Sequence, residues 1–247
     1  MKGLYEEDLA YIHHSGFGDF ARDAAPEIVS LLRNSQWTSG LVVDLGCGTG
    51  ILARALLDAG FDVVGTDISP AMIELAKRAA PAARFLTSSC YDLDIPACVA
   101  ITAIGEVLTY VAPQDPRETL PSLFSVAHQA LAPSGLFVFD VIVRSRDSPM
   151  RYRSTRQEVD WQVDVDVDEE PEDSLLTRRI SIKRRTGDVE RVSTEVHRVR
   201  TFSAIEIEDM LASAGFQSEL SSSYGEFQLA RQRLAVVARK PRATDGR

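Results

Sequence analysis

From Leu41 onward, short runs of aliphatic and β-branched residues alternate with stretches whose apolar positions recur every three to four residues. A short apolar run is what a strand buries and a 3.6-residue recurrence is what one face of a helix buries, so the alternation predicts parallel strands joined by crossover helices. Strands are expected near Leu41–Leu45, Asp62–Thr66, Arg84–Leu86, Cys98–Ile104 and Leu136–Val141, with helices near Ile51–Ala59, Pro70–Ala79 and Arg117–Leu131. The punctuation agrees. Ser69-Pro70 reads as an N-cap followed by proline at the first helical position, and Gly60 and Gly135 follow helix ends.

The rhythm then changes. From Val159 to Val167 the odd positions are Val or Trp and the even ones Asp or Gln, a period-two pattern that predicts a half-exposed strand. Leu176, Ile180 and Ile182 predict a second strand, Thr186-Gly187-Asp188 a tight turn, and Val189 to Val199 a third. On this reading the acidic outer face of the first strand pairs with Arg179 and Lys183 of the second. A helix capped by Ser203 and stopped at Gly215 follows, then strands near Phe216–Tyr224 and Leu234–Arg239. Upstream, Pro26–Leu32 is amphipathic. The fold class is therefore α/β: a doubly wound, mostly parallel seven-stranded sheet with helices on both faces and a small antiparallel β insert after the fifth strand.

Composition narrows the function. The chain has 247 residues with 27 Lys and Arg against 36 Asp and Glu, a net charge of −9, which argues against a surface built to neutralise phosphates; no nucleic-acid partner is expected. Three cysteines without a Cys-x-x-Cys pair indicate neither a disulfide framework nor a metal site. The start lacks the apolar core of a signal peptide and no run approaches the ~18 apolar residues of a membrane span, so a cytoplasmic protein without a membrane partner is expected.

The most informative stretch is Val42-Val43-Asp44-Leu45-Gly46-Cys47-Gly48-Thr49-Gly50, a strand running into a glycine-rich turn that opens a helix. A dinucleotide fingerprint, G-x-G-x-x-G, fails because its third glycine would be Ile51. The spacing present is D-x-G-x-G-x-G, and in this the chain resembles the class I (Rossmann-like) S-adenosylmethionine-dependent methyltransferases, in their small-molecule branch. The resemblance implies that Gly46, Cys47, Gly48 and Gly50 hold the methionine end of the cofactor while Asp44 orients its ammonium group. Asp67, ending the second strand about twenty residues past the first glycine, would accept both ribose hydroxyls. Ile68 and Met72 would lie against the adenine, and Ser89, Cys90 and Tyr91 would occupy the segment that grips its amino group. The family has an acid where this chain has Ser89, and Asp92 is the fallback. Gly105 would let the cofactor pass the backbone, with Glu106 at the rim where donor and acceptor meet.

The resemblance also divides the chain: residues 1–40 as a helical lid, 41–143 and 201–240 as the methyltransferase domain, 144–200 as an antiparallel cap above the active site, as in the sugar N-methyltransferases, and 241–247 as a disordered tail. Tyr11, His14 and Phe17 are the candidate cover, with Glu106, His14 and Tyr11 as candidate catalytic groups. Phe17, Tyr110, Tyr152, Trp161, His197, Arg198 and Tyr224 are candidates to touch the acceptor. His197 alternates with Arg191, Ser193 and Glu195 on an apparently polar face, which favours a solvated role. The Asn/Asp-Pro-Pro-Tyr/Phe quartet of nucleic-acid amino methyltransferases is missing after the fourth strand. Methyl transfer to an N or O atom of a small molecule is the expected reaction, S-adenosyl-L-homocysteine the expected product. A homodimer is left open. The rival readings are an NAD-dependent oxidoreductase and a cofactor-binding regulator without turnover.

Overall fold

The computed structural model describes residues 4–111, 115–145 and 147–242. In chain order the elements are α1 (Glu7–Gly16), α2 (Asp19–Asn34), β1 (Leu41–Leu45), α3 (Ile51–Asp58), β2 (Asp62–Asp67), α4 (Pro70–Ala79), β3 (Arg84–Thr87), β4 (Cys98–Ala103), α5 (Pro116–Ala130) and β5 (Leu131–Ile142). They continue with β6 (Arg151–Gln157), β7 (Trp161–Glu170), β8 (Leu175–Thr186), β9 (Val189–Arg200), α6 (Ala204–Ser213), β10 (Gln217–Ser221), β11 (Ser223–Tyr224), β12 (Phe227–Gln228) and β13 (Arg233–Arg239).

Seven strands form one sheet in the order β10-β13-β5-β4-β1-β2-β3, parallel except that β13 runs against both its neighbours. Its faces are covered by different helices. On one side Ile28 and Leu32 of α2 and Leu52 and Leu56 of α3 pack on Val42, Leu136 and Val138; on the other, Leu120 and Phe124 of α5 and Ile207 and Leu211 of α6 pack on Val43, Phe137 and Phe139. Strands buried on both faces read as continuous apolar runs, which is why β1, β4 and β5 were plain in the sequence. Helix α2 begins earlier than the amphipathic pattern suggested and runs through Pro26, because Ala24, Ala25, Ile28 and Leu32 form one buried stripe on both sides of the proline.

The antiparallel unit follows β5 as expected but has four strands, in the order β6-β7-β8-β9. The additional strand, β6, is exposed at every position and so carries no alternation to read. Its arrival changes the pairing of the acidic face of β7. Asp166 and Asp168 form close ion pairs with Arg153 and Arg151 of β6, while Arg179 stands cross-strand from Asp166 as expected and adds its charge from there. Arg178 and Arg184 of β8 turn inward, to Glu106 and Asp8, while Arg179, Lys183 and Arg185 stay exposed. A small apolar joint of Ile142, Val167, Leu176 and Val199 seats this sheet on the end of β5, above the carboxyl ends of the parallel strands.

Among the described residues no helix is long and apolar enough to cross a membrane. Most of the tail expected to be disordered, residues 243–247, lies outside the described residues.

Candidate active site

A cavity of about 460 Å³ opens where β1, β2 and β4 end, walled below by the glycine turn and above by α1 and the inner face of the four-stranded sheet. The three glycines of the turn all have positive φ: 64° at Gly46, 51° at Gly48 and 79° at Gly50. They serve different ends. A Cβ at Gly46 would stand 2.4 Å from Val107, and one at Gly50 would stand 2.9 Å from the backbone of Ala76, so both positions are closed by the protein itself. A Cβ at Gly48 would meet nothing within 4 Å; that glycine is open only toward the cavity.

Two carboxylates border the turn. Asp44 is buried and accepts a 2.7 Å hydrogen bond from the Thr102 hydroxyl on Oδ1, while Oδ2 has no hydrogen-bond partner among the described residues. Burial pushes its carboxyl up to about 7. Asp67 accepts from the amides of Gly48 (3.0 Å) and Ser69 (2.9 Å), and burial raises it to about 6. Ser69 caps α4 by accepting from the Met72 amide and donates its own hydroxyl to the Tyr5 carbonyl at 2.6 Å. Ile68, Met72, Ser89, Cys90 and Tyr91 complete this end of the wall. The Ser89 hydroxyl oxygen accepts from the Tyr91 amide, and the Tyr91 hydroxyl donates to the Leu108 carbonyl. Asp92 is exposed and outside the cavity, so it does not supply the missing acid.

Glu106 lies in the wall but is not the free base expected from its place after β4. Its backbone is left-handed, φ 67°, its side chain is 1% exposed, and its carboxylate is ion-paired with Arg178 at 2.7 Å and with Arg233. Below it, Asp140 accepts from the amides of Gly105 (2.6 Å) and Glu106 (3.0 Å) and from the Tyr224 hydroxyl (2.9 Å). Tyr224 is thereby a fully buried brace beneath the cavity floor, not a residue of its wall.

The upper half corrects several expectations. Leu9, His13 and Phe17, four residues apart on one face of α1, line the cavity together with Tyr5. Tyr11 and His14 belong to other faces: the Tyr11 hydroxyl donates to Asp160 at 2.9 Å beneath the Arg184 guanidinium, and His14 is absent from the wall. Burial lowers His13 to about 4, so its ring is neutral near pH 7, and its Nδ1 has no partner. Trp161 is a wedge under α1; a Cβ at Gly16 would stand 2.5 Å from its indole. Arg198 is exposed on the outer face of β9.

His197 reverses the expectation of a solvated face. It is 1% exposed, lines the cavity, and holds Glu195 through Nε2 at 2.8 Å. The odd face of β9 is polar because it is a polar interior, and period-two reasoning cannot separate that from solvent. Beside His197 stand Tyr110, at the expected position, and Arg178 and Tyr5, which the sequence did not flag; Tyr152 is at the mouth. No cluster of His, Cys, Asp and Glu among the described residues could hold a metal ion.

Comparison with known proteins agrees with this geometry. Residues 42–135 match a family described as a methyltransferase domain. Bacillus subtilis (strain 168) YqeM, itself named only as a candidate methyltransferase, is 28% identical over 77% of this chain and 83% of its own. An S-adenosylmethionine-dependent methyltransferase from Clostridium acetobutylicum ATCC 824 superposes with a TM-score of 0.79 over 94% of this chain and 96% of that one, at 18% identity. The sugar N-methyltransferase KedS8 from Streptoalloteichus sp ATCC 53650 gives 0.78 over 97% and 96%, at 19% identity. These likenesses support a class I S-adenosylmethionine-dependent methyltransferase, with the methyltransferase domain matched over residues 42–135. The turn fits that cofactor on its own evidence: an orphaned buried carboxylate oxygen at Asp44 and a glycine, Gly48, open only to the cavity. The oxidoreductase reading falls away with these likenesses.

Proposed function

We propose that the protein transfers a methyl group to a nitrogen or oxygen atom of a small molecule enclosed between the glycine turn and the four-stranded cap. The carrying observation is that one cavity is walled both by the turn and by α1 and the cap. An enclosed volume of about 460 Å³ lies in the range of small-molecule sites, roughly 300–1,000 Å³. In this reading residues 4–40 and 144–200 act as cover, and the remainder as the cofactor-binding body.

Gly46, Cys47, Gly48 and Gly50 would cradle the methionine end, with Asp44 Oδ2 receiving its ammonium. Asp67 would take the ribose hydroxyls; Ile68, Met72, Ser89, Cys90 and Tyr91 would enclose the adenine, with Gly105 at the passage toward the acceptor. S-adenosylmethionine supplies a methyl group already activated by its sulfonium. The work left to the side chains is alignment of the nucleophile and exclusion of water, which Tyr5, Leu9, His13 and Phe17 of the cover favour. The sugar N-methyltransferase neighbour shares the fold over 97% of this chain, which supports a small acceptor rather than a polymer.

Incubation with labelled S-adenosylmethionine and a small-molecule extract tests this, alongside filter binding to RNA and DNA at two salt concentrations. Label in a low-mass product without salt-sensitive polymer binding is the expected result. Methyl incorporation into nucleic acid, with binding that weakens steeply as salt rises, would overturn it.

A further inference from the structure

Resting on that reading, we propose that the acceptor is a neutral hydroxyl, phenolic or enolic, and that His197, held by Glu195, takes its proton. The argument begins with Glu195, a buried carboxylate that accepts three hydrogen bonds: from the Tyr5 amide (2.7 Å), the Glu6 amide (2.9 Å) and His197 Nε2 (2.8 Å). Both neighbours that share it are obligate amide donors, so the carboxylate is an acceptor throughout. In the neutral ring this places the proton on Nε2 and makes Nδ1 the nitrogen with the lone pair. No hydrogen bond engages Nδ1 among the described residues, and the ring lines the cavity.

The charges around that lone pair select the acceptor. Directly across from His197 on β8 is Arg178, and the Tyr5 and Tyr110 rings lie 4.9 and 5.8 Å from the imidazole. His13 of α1 also faces it and is kept neutral by burial. An ammonium substrate would need a free carboxylate in this corner. Glu106 is committed to Arg178 and Arg233, and Glu195 to its three donors. The Arg178 guanidinium across from the ring is the opposite arrangement: it disfavours an ammonium and stabilises charge developing on oxygen.

The step balances. As the acceptor oxygen bonds to the methyl carbon, its proton passes to His197 Nδ1 and the carbon–sulfur electron pair stays with sulfur. The positive charge lost from the sulfonium reappears on the imidazolium beside Glu195, and the proton leaves to solvent on product release.

Nitrogen-15 NMR of the full protein with S-adenosylhomocysteine bound should show His197 as the Nε2-protonated tautomer at neutral pH, altered by Glu195→Gln and restored in part by Glu195→Asp. A His197 that is cationic there, or protonated on Nδ1, overturns the proposal whether or not an acceptor is in hand. For turnover the probes are matched phenols and benzylamines on one- and two-ring scaffolds with labelled S-adenosylmethionine. Label should enter as ether; His197→Gln should lower kcat roughly 100-fold with S-adenosylhomocysteine affinity unchanged. Glu195→Gln should lower kcat less and shift its pH profile. Label on nitrogen, or turnover in His197→Gln above half of the parent value, sinks the hydroxyl assignment while leaving methyl transfer intact. Failure to bind S-adenosylhomocysteine at all would instead break the reading beneath it.

Discussion

The two walls of the cavity are built on different principles. The lower wall is backbone: three left-handed glycines, the amides that meet Asp67, and strand ends spaced by the parallel sheet. The upper wall is side chains drawn from distant parts of the chain, with Tyr5 and His13 from the N-terminal segment, Tyr110 from after β4, Arg178 from β8 and His197 from β9. A wall of backbone tolerates few residue types and so leaves a short, dense signature in sequence. A wall of side chains leaves none, because each member is an ordinary residue until the fold assembles it.

The sharpest way to break this contrast is Gly48→Val. Branched carbons would enter the one part of the turn that is open only to the cavity, and S-adenosylhomocysteine binding should disappear by calorimetry while circular dichroism keeps the fold. Retained affinity would mean that the cofactor does not lie against this turn. Next comes the side-chain wall. Glu106→Gln strands two guanidiniums on one buried site, and loss of a buried partner costs about 3–5 kcal/mol; thermal unfolding should shift down accordingly, and a shift below 2 °C would show the trio to be solvated.

Asp67→Ala removes a charged acceptor whose hydrogen bonds contribute roughly 1.5–3 kcal/mol each, so cofactor affinity should fall at least tenfold. A change under twofold would place the ribose elsewhere. Asp44→Asn should act in opposite directions on stability and on binding. The carboxyl is pushed up to about 7 in the folded chain, above its unfolded value of about 3.9, so its contribution is favourable below that lower value and is lost as pH rises through about 7. The asparagine variant should therefore unfold at higher temperature than the parent when ligand-free at pH 8, with the gap closing toward pH 4, and it should bind cofactor more weakly. A parent that outlasts the variant at pH 8 would contradict the burial argument. Smallest is Arg153→Ala on the exposed face of the cap, where a surface pair contributes about 0–1 kcal/mol and neither unfolding nor turnover should move measurably.

Legibility followed the same division. The strand carrying Asp44, the three glycines, Asp67, and the Ser69-Pro70 start of α4 were all readable because local backbone requirements select those residue types. Three kinds of feature were not. Strand β6 is exposed at every position and has no period. The register of α1 turns on which of two adjacent histidines faces inward; four-residue spacing from Leu9 to Phe17 would have chosen His13, but the density of aromatics drew attention to Tyr11 and His14. The partners of Glu106 lie far along the chain, and a carboxylate after β4 looks like a free base until Arg178 and Arg233 are placed beside it.

The fastening of α1 has one more consequence. Its leading turn is tied to the cofactor loop through the Ser69 hydroxyl and the Tyr5 carbonyl, and to the cap through Glu195 and through Asp8, which meets Arg184 and Arg191. One helix thus belongs to both binding events, and reciprocity fixes how they speak to each other: whatever factor the cofactor adds to the hold on α1, closing α1 must add to the hold on the cofactor. A substitution such as Asp8→Asn, which touches none of the glycines, is then expected to weaken equilibrium binding of S-adenosylhomocysteine.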